Sequence, residues 1–374
     1  MSLTDTAAQA LAGIGGDLVD PPILIRARVP LELSGEAVRN RICTFVDQDG
    51  REWALRPDLT LVVAQEEVAI RQGGVTGETL RRYRGPVFRL PVVPDAPVEF
   101  DQVGLEKFGA ENSVTEDAWL FETLADASVA CGVETGDVCF GDLSIFPAFV
   151  DAMDLSPDVA AGLKRAFRQE GGVRAYLNGR ERNRGGLSGR LSGMAREDVA
   201  AFVDDIFAMT NVRPVGERGA DEIVERLFER AKSSEIVLTP AQKTAIEQVL
   251  SLSVPLEQAP GALTRIANEH QLSGLDDLLQ IFAERTHKLV ASAHKAFVDG
   301  ARFATRFGRR FTYYDGFVFE VTAPEATGPI SLPFIAGGRY DSLLRDLSAG
   351  QVDATAIGGI IVPHRLPRKT GAVS

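Results

Sequence analysis

The chain has 374 residues, of which 45% are hydrophobic and 25% charged, and its formal net charge is −12. This length suits one large or two ordinary domains with a substantial core. The acidic balance disfavours a large nucleic-acid surface, because such binding depends on neutralising phosphates. No apolar run approaches the roughly 20 residues that a membrane span needs. Neither a nucleic-acid nor a membrane partner is therefore expected.

Three further features bear on compartment and metal binding. The N-terminal segment lacks the basic region and the continuous apolar region of a secretory signal. The three cysteines, Cys43, Cys131 and Cys139, have no metal-ligand spacing, and their odd number argues against a disulfide framework. The four histidines have no cysteines near enough to build a zinc site. The sequence predicts a cytoplasmic protein without a metal or a cofactor.

In chain order, the first 150 residues alternate short apolar runs with turn residues. Apolar segments flank Asp49-Gly50, a dipeptide that favours a tight hairpin. The stretch from Leu59 to Gln72 has apolar residues at helical spacing. The next predicted elements are strands at PVFRL and PVEFDQVGLEKFG, a helix over 114–131, a strand at GDVCFGDL and a helix over Ile145–Met153.

From about 156 to 298, leucine, alanine and charged residues recur at helical spacing, which predicts a helical insertion. Within it, the basic segment from Arg174 to Arg196 is interpreted as a solvated Gly-rich loop, with a phosphate-binding surface as the alternative. Strand character returns at FTYYDGFVFEVTAP, IAGGRY and TAIGGIIV. Strands separated by a large helical insertion favour an α+β fold around an antiparallel sheet.

Five ordered segments carry the most specific signal. FDQVGLEKFG places Gln102 and Glu106 four residues apart, and YYDGFVFE, from Tyr313 to Glu320, follows a pair of arginines. LRPDLT, RGPVFR and AGGRYDSLL accompany them. Together they look like the walls of an amino-acid pocket, since carboxylates and amides suit an amino group or a ring nitrogen and arginine suits a carboxylate. In the order in which they occur along the chain, the segments resemble the catalytic domain of histidyl-tRNA synthetase.

The resemblance implies a class II aminoacyl-tRNA synthetase-like antiparallel sheet flanked by helices, in a single domain over 1–374 with the insertion inside it. It also implies a histidine pocket, in which a carboxylate and a phenol hold both ring nitrogens and a ligand lacking them leaves those groups unpaired. The contacts that it implies for the amino group are Asp58, Thr60 and Gln102; those for the imidazole are Glu106 and Tyr314, with Tyr313 beside them; and that for the carboxylate is Arg309, or Arg310 if the alignment slips by one.

The resemblance also places a nucleotide site, but with departures. Arg89 and Arg365 match the arginines that hold phosphate and nucleotide in the synthetase, whereas Pro91 stands where a glutamate reads adenine and Val98 replaces a loop arginine. Proline supplies no carboxylate and valine cannot offset triphosphate charge. The site is therefore interpreted as vestigial, and no catalytic residue is assigned. The chain stops at Ser374, where the synthetase would need its anticodon-binding domain.

A kept histidine pocket, an altered nucleotide site and no anticodon-binding domain are typical of a synthetase-like family, the regulatory subunit of ATP phosphoribosyltransferase. The resemblance implies a non-catalytic homodimer that assembles with the short-form catalytic subunit, is needed for its full activity and contributes to feedback inhibition by histidine. Two alternatives stay open. One is a truncated synthetase-like enzyme that makes histidyl-adenylate or transfers histidine to a non-tRNA acceptor. The other is a binding module that senses histidine for a different partner.

Overall fold

The computed structural model describes residues 1–34, 36–92, 96–169, 172–185, 198, 238–308, 313–324 and 332–367. These form two compact units. The first unit comprises Met1–Ile145 and Gln248–Ser374, and the second comprises Phe146–Glu247.

In chain order the strands are β1 Asp17–Leu18, β2 Leu24–Arg26, β3 Thr44–Val46, β4 Glu52–Leu55, β5 Thr79–Phe88, β6 Glu99–Phe108, β7 Asp137–Asp142, β8 Ser253–Pro255, β9 Arg302–Ala304, β10 Phe317–Thr322, β11 Ile335–Arg339 and β12 Ala356–Ile361. The first unit is built on a nine-stranded sheet with the order β1-β5-β6-β12-β11-β10-β7-β9-β8. Every pairing from β5 across to β7 is antiparallel, and the pairs β1–β5 and β7–β9 are parallel. The predicted α+β fold around an antiparallel sheet is confirmed.

Along the chain, helices precede, separate and follow these strands. Of the helices in the described ranges, none has the length and apolar character that a bilayer crossing requires. Their bounds are Leu3–Ala12, Arg28–Leu33, Glu36–Arg39, Thr60–Gln72, Ser113–Ala130, Ile145–Asp151, Pro157–Arg168, Gly172–Gly185, Pro240–Ser251, Ala259–Glu269, Asp276–Val290, Lys295–Val298 and Leu343–Leu347.

The hairpin predicted at Asp49-Gly50 joins β3 to β4, which pair antiparallel, and β2 completes a separate three-stranded sheet. Gly50 has a φ of 76°, a backbone conformation that a residue without a Cβ adopts readily. One face of this small sheet is buried through Ile25 and Ala54 in an apolar cluster with Val62 of the helix Thr60–Gln72. The cluster packs the small sheet against the helix Thr60–Gln72, and the candidate site described below lies where this helix begins.

The two faces of the large sheet have different neighbours. A Cβ at Gly359 would meet the side chain of Leu124 in the helix Ser113–Ala130, whereas one at Gly358 would meet Glu106. Successive residues of a strand point to opposite faces, so Glu106 lies on the face away from that helix. The helix side is packed with aromatic rings, such as Phe121 and Phe319 with centroids 5.4 Å apart. The opposite face is thus the one that carries the buried carboxylate of Glu106.

The second unit contains the helices Pro157–Arg168 and Gly172–Gly185. Phe146 and Phe167 stack within it, with ring centroids 4.6 Å apart. The helical insertion at 156–298 stays a prediction; within that range, residues 248–298 belong to the first unit. The physical reason is β8, which extends the large sheet by pairing with β9. A strand of three residues is too short to be recognised in the sequence when the segments on either side have helical periodicity.

Candidate functional site

Buried polar side chains meet where the helix Thr60–Gln72 begins. The backbone N–H of Leu59 donates to Oε1 of Gln102 at 3.2 Å. The hydroxyl of Thr60 donates to Oε1 of Glu106 at 2.7 Å. Gln102 and Glu106 are both fully buried, and Asp58 is 3% exposed. The structure thus brings together four of the residues that the sequence predicts for amino-acid binding.

The local sequence accounts for this arrangement. Oδ1 of Asp58 accepts the N–H of Leu61 at 3.0 Å, which gives a partner to a backbone donor in the first turn of the helix. Gln102 and Glu106 are four positions apart in β6, an even spacing, so both point to the same face of the sheet. The helix start and the strand therefore present their polar groups to each other.

Glu106 lies among three hydroxyl groups. Oε1 accepts the hydroxyls of Thr60 at 2.7 Å and Tyr83 at 2.6 Å, and Oε2 accepts the hydroxyl of Tyr340. Tyr83 and Tyr340 were not predicted as site residues, although both lie in or next to the motif segments RGPVFR and AGGRYDSLL. A glycine at 104 makes room for Tyr83, because a Cβ there would lie 2.7 Å from its phenol oxygen.

Burial controls the protonation of the Glu106 carboxyl group. Burial raises the pKa of Glu106 from its ordinary 4.5 to about 7, and the hydrogen bonds from Tyr340, Tyr83 and Thr60 oppose that rise. Burial and then the negative charge of Glu106 raise the pKa of Tyr83 and of Tyr340 well above the ordinary value. Both phenols therefore keep their protons at neutral pH and act as donors. Glu106 itself can exchange a proton near neutrality, which suits contact with an imidazole.

Tyr313 and Tyr314 lie before β10 rather than in it. Their rings are 5.8 Å and 6.1 Å from that of Tyr340, measured between centroids, and both are buried. Asp315 fixes this turn by accepting the backbone N–H of Ser342 at 2.7 Å. The tyrosines thus adjoin the hydroxyl cluster around Glu106. Arg309 and its alternative Arg310 lie outside the described residues.

Asp58 and Arg89 form the charged side of the site. The guanidinium Nε of Arg89 donates to the carbonyl of Pro57 at 2.7 Å, directly beside Asp58. Burial raises the pKa of Asp58, while the Leu61 hydrogen bond and the Arg89 charge lower it. Burial lowers the pKa of Arg89, and the charge of Asp58 opposes this. The carboxylate and the guanidinium therefore stabilise each other's charge in a dehydrated setting.

The predicted nucleotide arginines converge on one ring. Cζ of Arg365 lies 4.8 Å and Cζ of Arg89 5.2 Å from the centroid of Phe100, and the His364 ring lies at 5.3 Å. An aromatic ligand stacked on Phe100 would lie at similar distances from the centroid of its ring. The main-chain N–H of Arg89 donates to the carbonyl of Val98 at 2.9 Å. Phe100 is thus surrounded by the chain's own cations.

Tyr340 is positioned by a buried ion network. The preceding residue, Arg339, donates through Nε and Nη2 to Oδ1 of Asp117 at 2.9 Å and 2.7 Å. Arg285 donates to Oδ2 of Asp117 at 2.9 Å and also pairs with Asp142. Both arginines and both aspartates are buried. The network joins β11 and β7 to two helices, and β11 in turn leads into Tyr340.

A small, partly open pocket lies beside Tyr314, lined also by Phe307, Val318 and Glu320. Asp58, Gln102 and Glu106 do not line it. In the described part of the chain, no cluster of three histidine, cysteine, aspartate or glutamate side chains could hold a metal ion. We place the candidate site at the buried polar residues because their chemistry is specific: a carboxylate, an amide and a hydroxyl-bound carboxylate suit an α-amino acid with a nitrogen-containing side chain.

Comparison with known proteins agrees with this fold. A family model described as Histidyl-tRNA synthetase matches residues 2–181. A crystal structure of an ATP phosphoribosyltransferase regulatory subunit/histidyl-tRNA synthetase from Bacillus halodurans superposes with a TM-score of 0.65 at 19% identity, covering 97% of this chain and 77% of that one. A histidine–tRNA ligase subunit from Alicyclobacillus acidocaldarius gives 0.55 at 21% identity, covering 97% and 90%. The chain has the class II aminoacyl-tRNA synthetase-like fold.

Comparison with sequence relatives shows which family within this fold class the chain belongs to. ATP phosphoribosyltransferase regulatory subunits from Chelativorans sp. (strain BNC1) and Brucella anthropi are each 30% identical to this chain. The first alignment covers 89% of this chain and 88% of the relative, and the second 90% and 88%. The relative from Mesorhizobium japonicum is 30% identical over 91% and 89%. The chain belongs to the ATP phosphoribosyltransferase regulatory subunit family.

Proposed function

We propose that this chain is the non-catalytic regulatory subunit of an ATP phosphoribosyltransferase in histidine biosynthesis. It acts in the cytoplasm, binds the short-form catalytic subunit and takes free histidine in the pocket around Glu106. Family membership supports the regulatory role. The observation that carries the histidine assignment is the buried set of Asp58, Gln102 and Glu106, which offers polar contacts for an amino acid and its ring.

The nucleotide side of the site supports a non-catalytic role. Pro91 and Val98 provide neither the carboxylate nor the cation that ATP binding would use. The ring of Phe100 already has Arg89 and Arg365 against it. A nucleotide base would have to displace one of these guanidinium groups before it could stack there.

The assembly is tested by co-purification. A tagged short-form catalytic subunit should retain this chain, and transferase activity should rise when the chain is added. If the catalytic subunit neither binds this chain nor responds to it, the regulatory assignment fails, whatever happens with histidine.

The pocket is tested by Glu106→Ala, with Glu99→Ala as the matched control because Glu99 is exposed on the same strand. Free histidine should bind the wild type in calorimetry. Glu106→Ala should weaken that binding by roughly 1–3 kcal/mol, because a ring nitrogen then lacks its partner. Glu99→Ala should leave binding unchanged.

Glu106→Ala also tests whether histidine inhibits the complex through this pocket. Histidine can inhibit through this pocket only if it binds the active and inactive states of the complex differently. Glu106→Ala should therefore assemble normally and blunt inhibition. If it assembles, loses histidine binding and is still inhibited at the same histidine concentration, the effector site lies on the catalytic subunit.

One observation favours an enzymatic alternative. The chain keeps Arg89 and Arg365, which match the phosphate and nucleotide arginines of the synthetase. A truncated synthetase-like enzyme forming histidyl-adenylate, or passing histidine to a non-tRNA acceptor, would use them. Histidine-dependent exchange of pyrophosphate into ATP would support that function over the regulatory one.

A homodimer is also proposed. Leu24 and Phe45 lie on the same face of the three-stranded sheet as Trp53, and they are 41% and 46% exposed. Exposed apolar side chains grouped on one face are typical of protein contacts. Light scattering at micromolar concentration should give a dimer, and Phe45→Glu should give a folded monomer. A monomeric wild type would contradict this proposal.

A further inference from the structure

Asp315 makes three hydrogen bonds to the segment that contains Tyr340. Its backbone N–H donates to the carbonyl of Arg339 at 3.1 Å. Its carboxylate accepts two consecutive backbone N–H groups, Oδ1 that of Asp341 at 3.1 Å and Oδ2 that of Ser342 at 2.7 Å. These partners lie on both sides of Tyr340 in the sequence. One residue therefore holds the backbone before and after Tyr340.

The strand pairing explains why these groups meet. β10 and β11 are antiparallel neighbours, with Val318 opposite Gly338. Continuing that register beyond the paired residues places Asp315 opposite Asp341. The two N–H groups lie beyond β11, which ends at Arg339, and the Asp315 carboxylate provides their acceptors. Hydrogen bonds from backbone N–H groups to a carboxylate are charge-assisted and are therefore stronger than neutral ones.

Asp315 also directly follows two tyrosines of the candidate site. The ring centroids of Tyr313 and Tyr314 are 4.8 Å apart, and they lie 5.8 Å and 6.1 Å from that of Tyr340. All three rings are buried. Tyr340 in turn donates its hydroxyl to Oε2 of Glu106. Asp315 thus joins the segment that carries two of the rings to the segment that carries the third.

We propose that Asp315 is a positioning residue of the candidate site: it fixes the backbone around Tyr340, so that the phenol hydroxyl stays on Glu106. Tyr313 and Tyr314 pack against the same phenol ring and keep it in this orientation. Asp315 acts through Tyr340 and not by contact with a ligand. That these groups hold histidine rests on the proposed function, whereas the positioning of Tyr340 does not depend on a ligand.

The protonation of Glu106 reports on this position. Burial raises its pKa to about 7, and the hydrogen bond from Tyr340 is the largest of the effects that oppose the rise. Tyr83 and Thr60 also donate to the carboxylate, and the charge of Asp58 raises the pKa. If the Tyr340 hydroxyl moves away, the pKa of Glu106 should rise further. The free energy of unfolding should then continue to fall at a pH where it has levelled off in the wild type.

The experiment compares Asp315→Asn with Tyr340→Phe and with a matched control, Asp47→Asn. Asparagine keeps the shape of the side chain but replaces one acceptor oxygen by an amide NH2 group, which faces an N–H donor. Asp47 is the control because its carboxylate also accepts two backbone N–H groups, those of Asp49 at 2.9 Å and Arg51 at 2.8 Å. Urea denaturation between pH 5 and 9, without ligand, gives the pH profile of each protein.

We expect Asp315→Asn to change the pH profile in the same direction as Tyr340→Phe, so that the free energy of unfolding still falls above pH 7. Asp47→Asn should lose stability and keep the wild-type profile. Asp315→Asn and Tyr340→Phe should each weaken histidine binding about tenfold or more in calorimetry, the size of a lost hydrogen bond to a charged group. The double variant should be no weaker than Tyr340→Phe, because both changes remove the same contact.

Two results overturn the inference. If Asp315→Asn loses stability but keeps the wild-type pH profile, as the control does, Asp315 only stabilises the fold. If its effect on histidine binding adds to that of Tyr340→Phe, Asp315 does not act through Tyr340. A wild type that binds no histidine contradicts the proposed function, and the pH profiles alone then decide the role of Asp315. Should Asp315→Asn not fold, Asp315→Ser, whose hydroxyl can accept one of the two N–H groups, is measured in its place.

Discussion

Gly358 of β12 lies directly opposite Glu106 of β6 in the sheet. A Cβ at position 358 would fall 1.5 Å from Oε2 of Glu106, well inside any allowed contact. The missing side chain therefore provides the space in which the Glu106 carboxylate meets Tyr340. A glycine in one strand and a buried acid in its neighbour form a single structural unit.

Gly358→Ala should destabilise the protein by about 1–3 kcal/mol, the range of overpacking in a close-packed interior, and should reduce histidine binding. Urea denaturation and calorimetry measure the two effects. Gly261→Ala is the matched control, because the Cβ it would add meets no atom within 4 Å apart from its chain neighbours and the backbone of its own helix. Equal stability of the two variants would contradict the close packing at Glu106.

Stability should depend on the protonation of Glu106. Its pKa rises from 4.5 to about 7 on folding, so between these values the folded state binds more protons than the unfolded state. The free energy of unfolding should then fall as pH rises from 5 to 7, by at most roughly 3 kcal/mol from this group.

Glu106→Gln should remove this part of the pH dependence. Urea denaturation of both proteins between pH 5 and 8 provides the measurement. Asp58, whose pKa burial also raises, is present in both proteins, so their difference isolates Glu106. Parallel pH profiles would show that Glu106 does not titrate in this range.

Asp117→Asn should be strongly destabilising. The variant removes the charge that Arg285 and Arg339 share and leaves each with one other carboxylate, Asp142 and Asp341 respectively; removing one member of a buried ion pair costs about 3–5 kcal/mol. Chemical denaturation measures the loss. Glu32→Gln, in an exposed pair with Arg28, should have little effect because solvent screens that pair. Similar losses in the two variants would argue against a stabilising role of the network.

No histidine-dependent exchange of pyrophosphate into ATP is expected at enzymatic rates, roughly 1 per second or faster. The reason is the lack of adenine and triphosphate contacts at Pro91 and Val98, together with Arg365 against Phe100. A histidyl-tRNA synthetase assayed in parallel is the positive control. Exchange by this chain at such a rate would transfer the assignment to the enzymatic alternative.

The sequence by itself determined the local elements and the order of the motifs. The hairpin at Asp49-Gly50 and the helix start beside Asp58 depend on residues within a few positions of one another, so their signals are readable without a structure. The even spacing of Gln102 and Glu106 likewise predicts that they share one face of a strand.

Only the tertiary structure decided what these residues contact. Tyr340 reaches Glu106 from 234 positions away, and Gly358 faces it through the pairing of β6 with β12. Such contacts depend on strand order and register, which bring distant segments together and leave no local pattern in the sequence. The contact of Gln102 with Leu59 was decided in the same way, because the backbone of Leu59 reaches the amide only once helix and strand have packed.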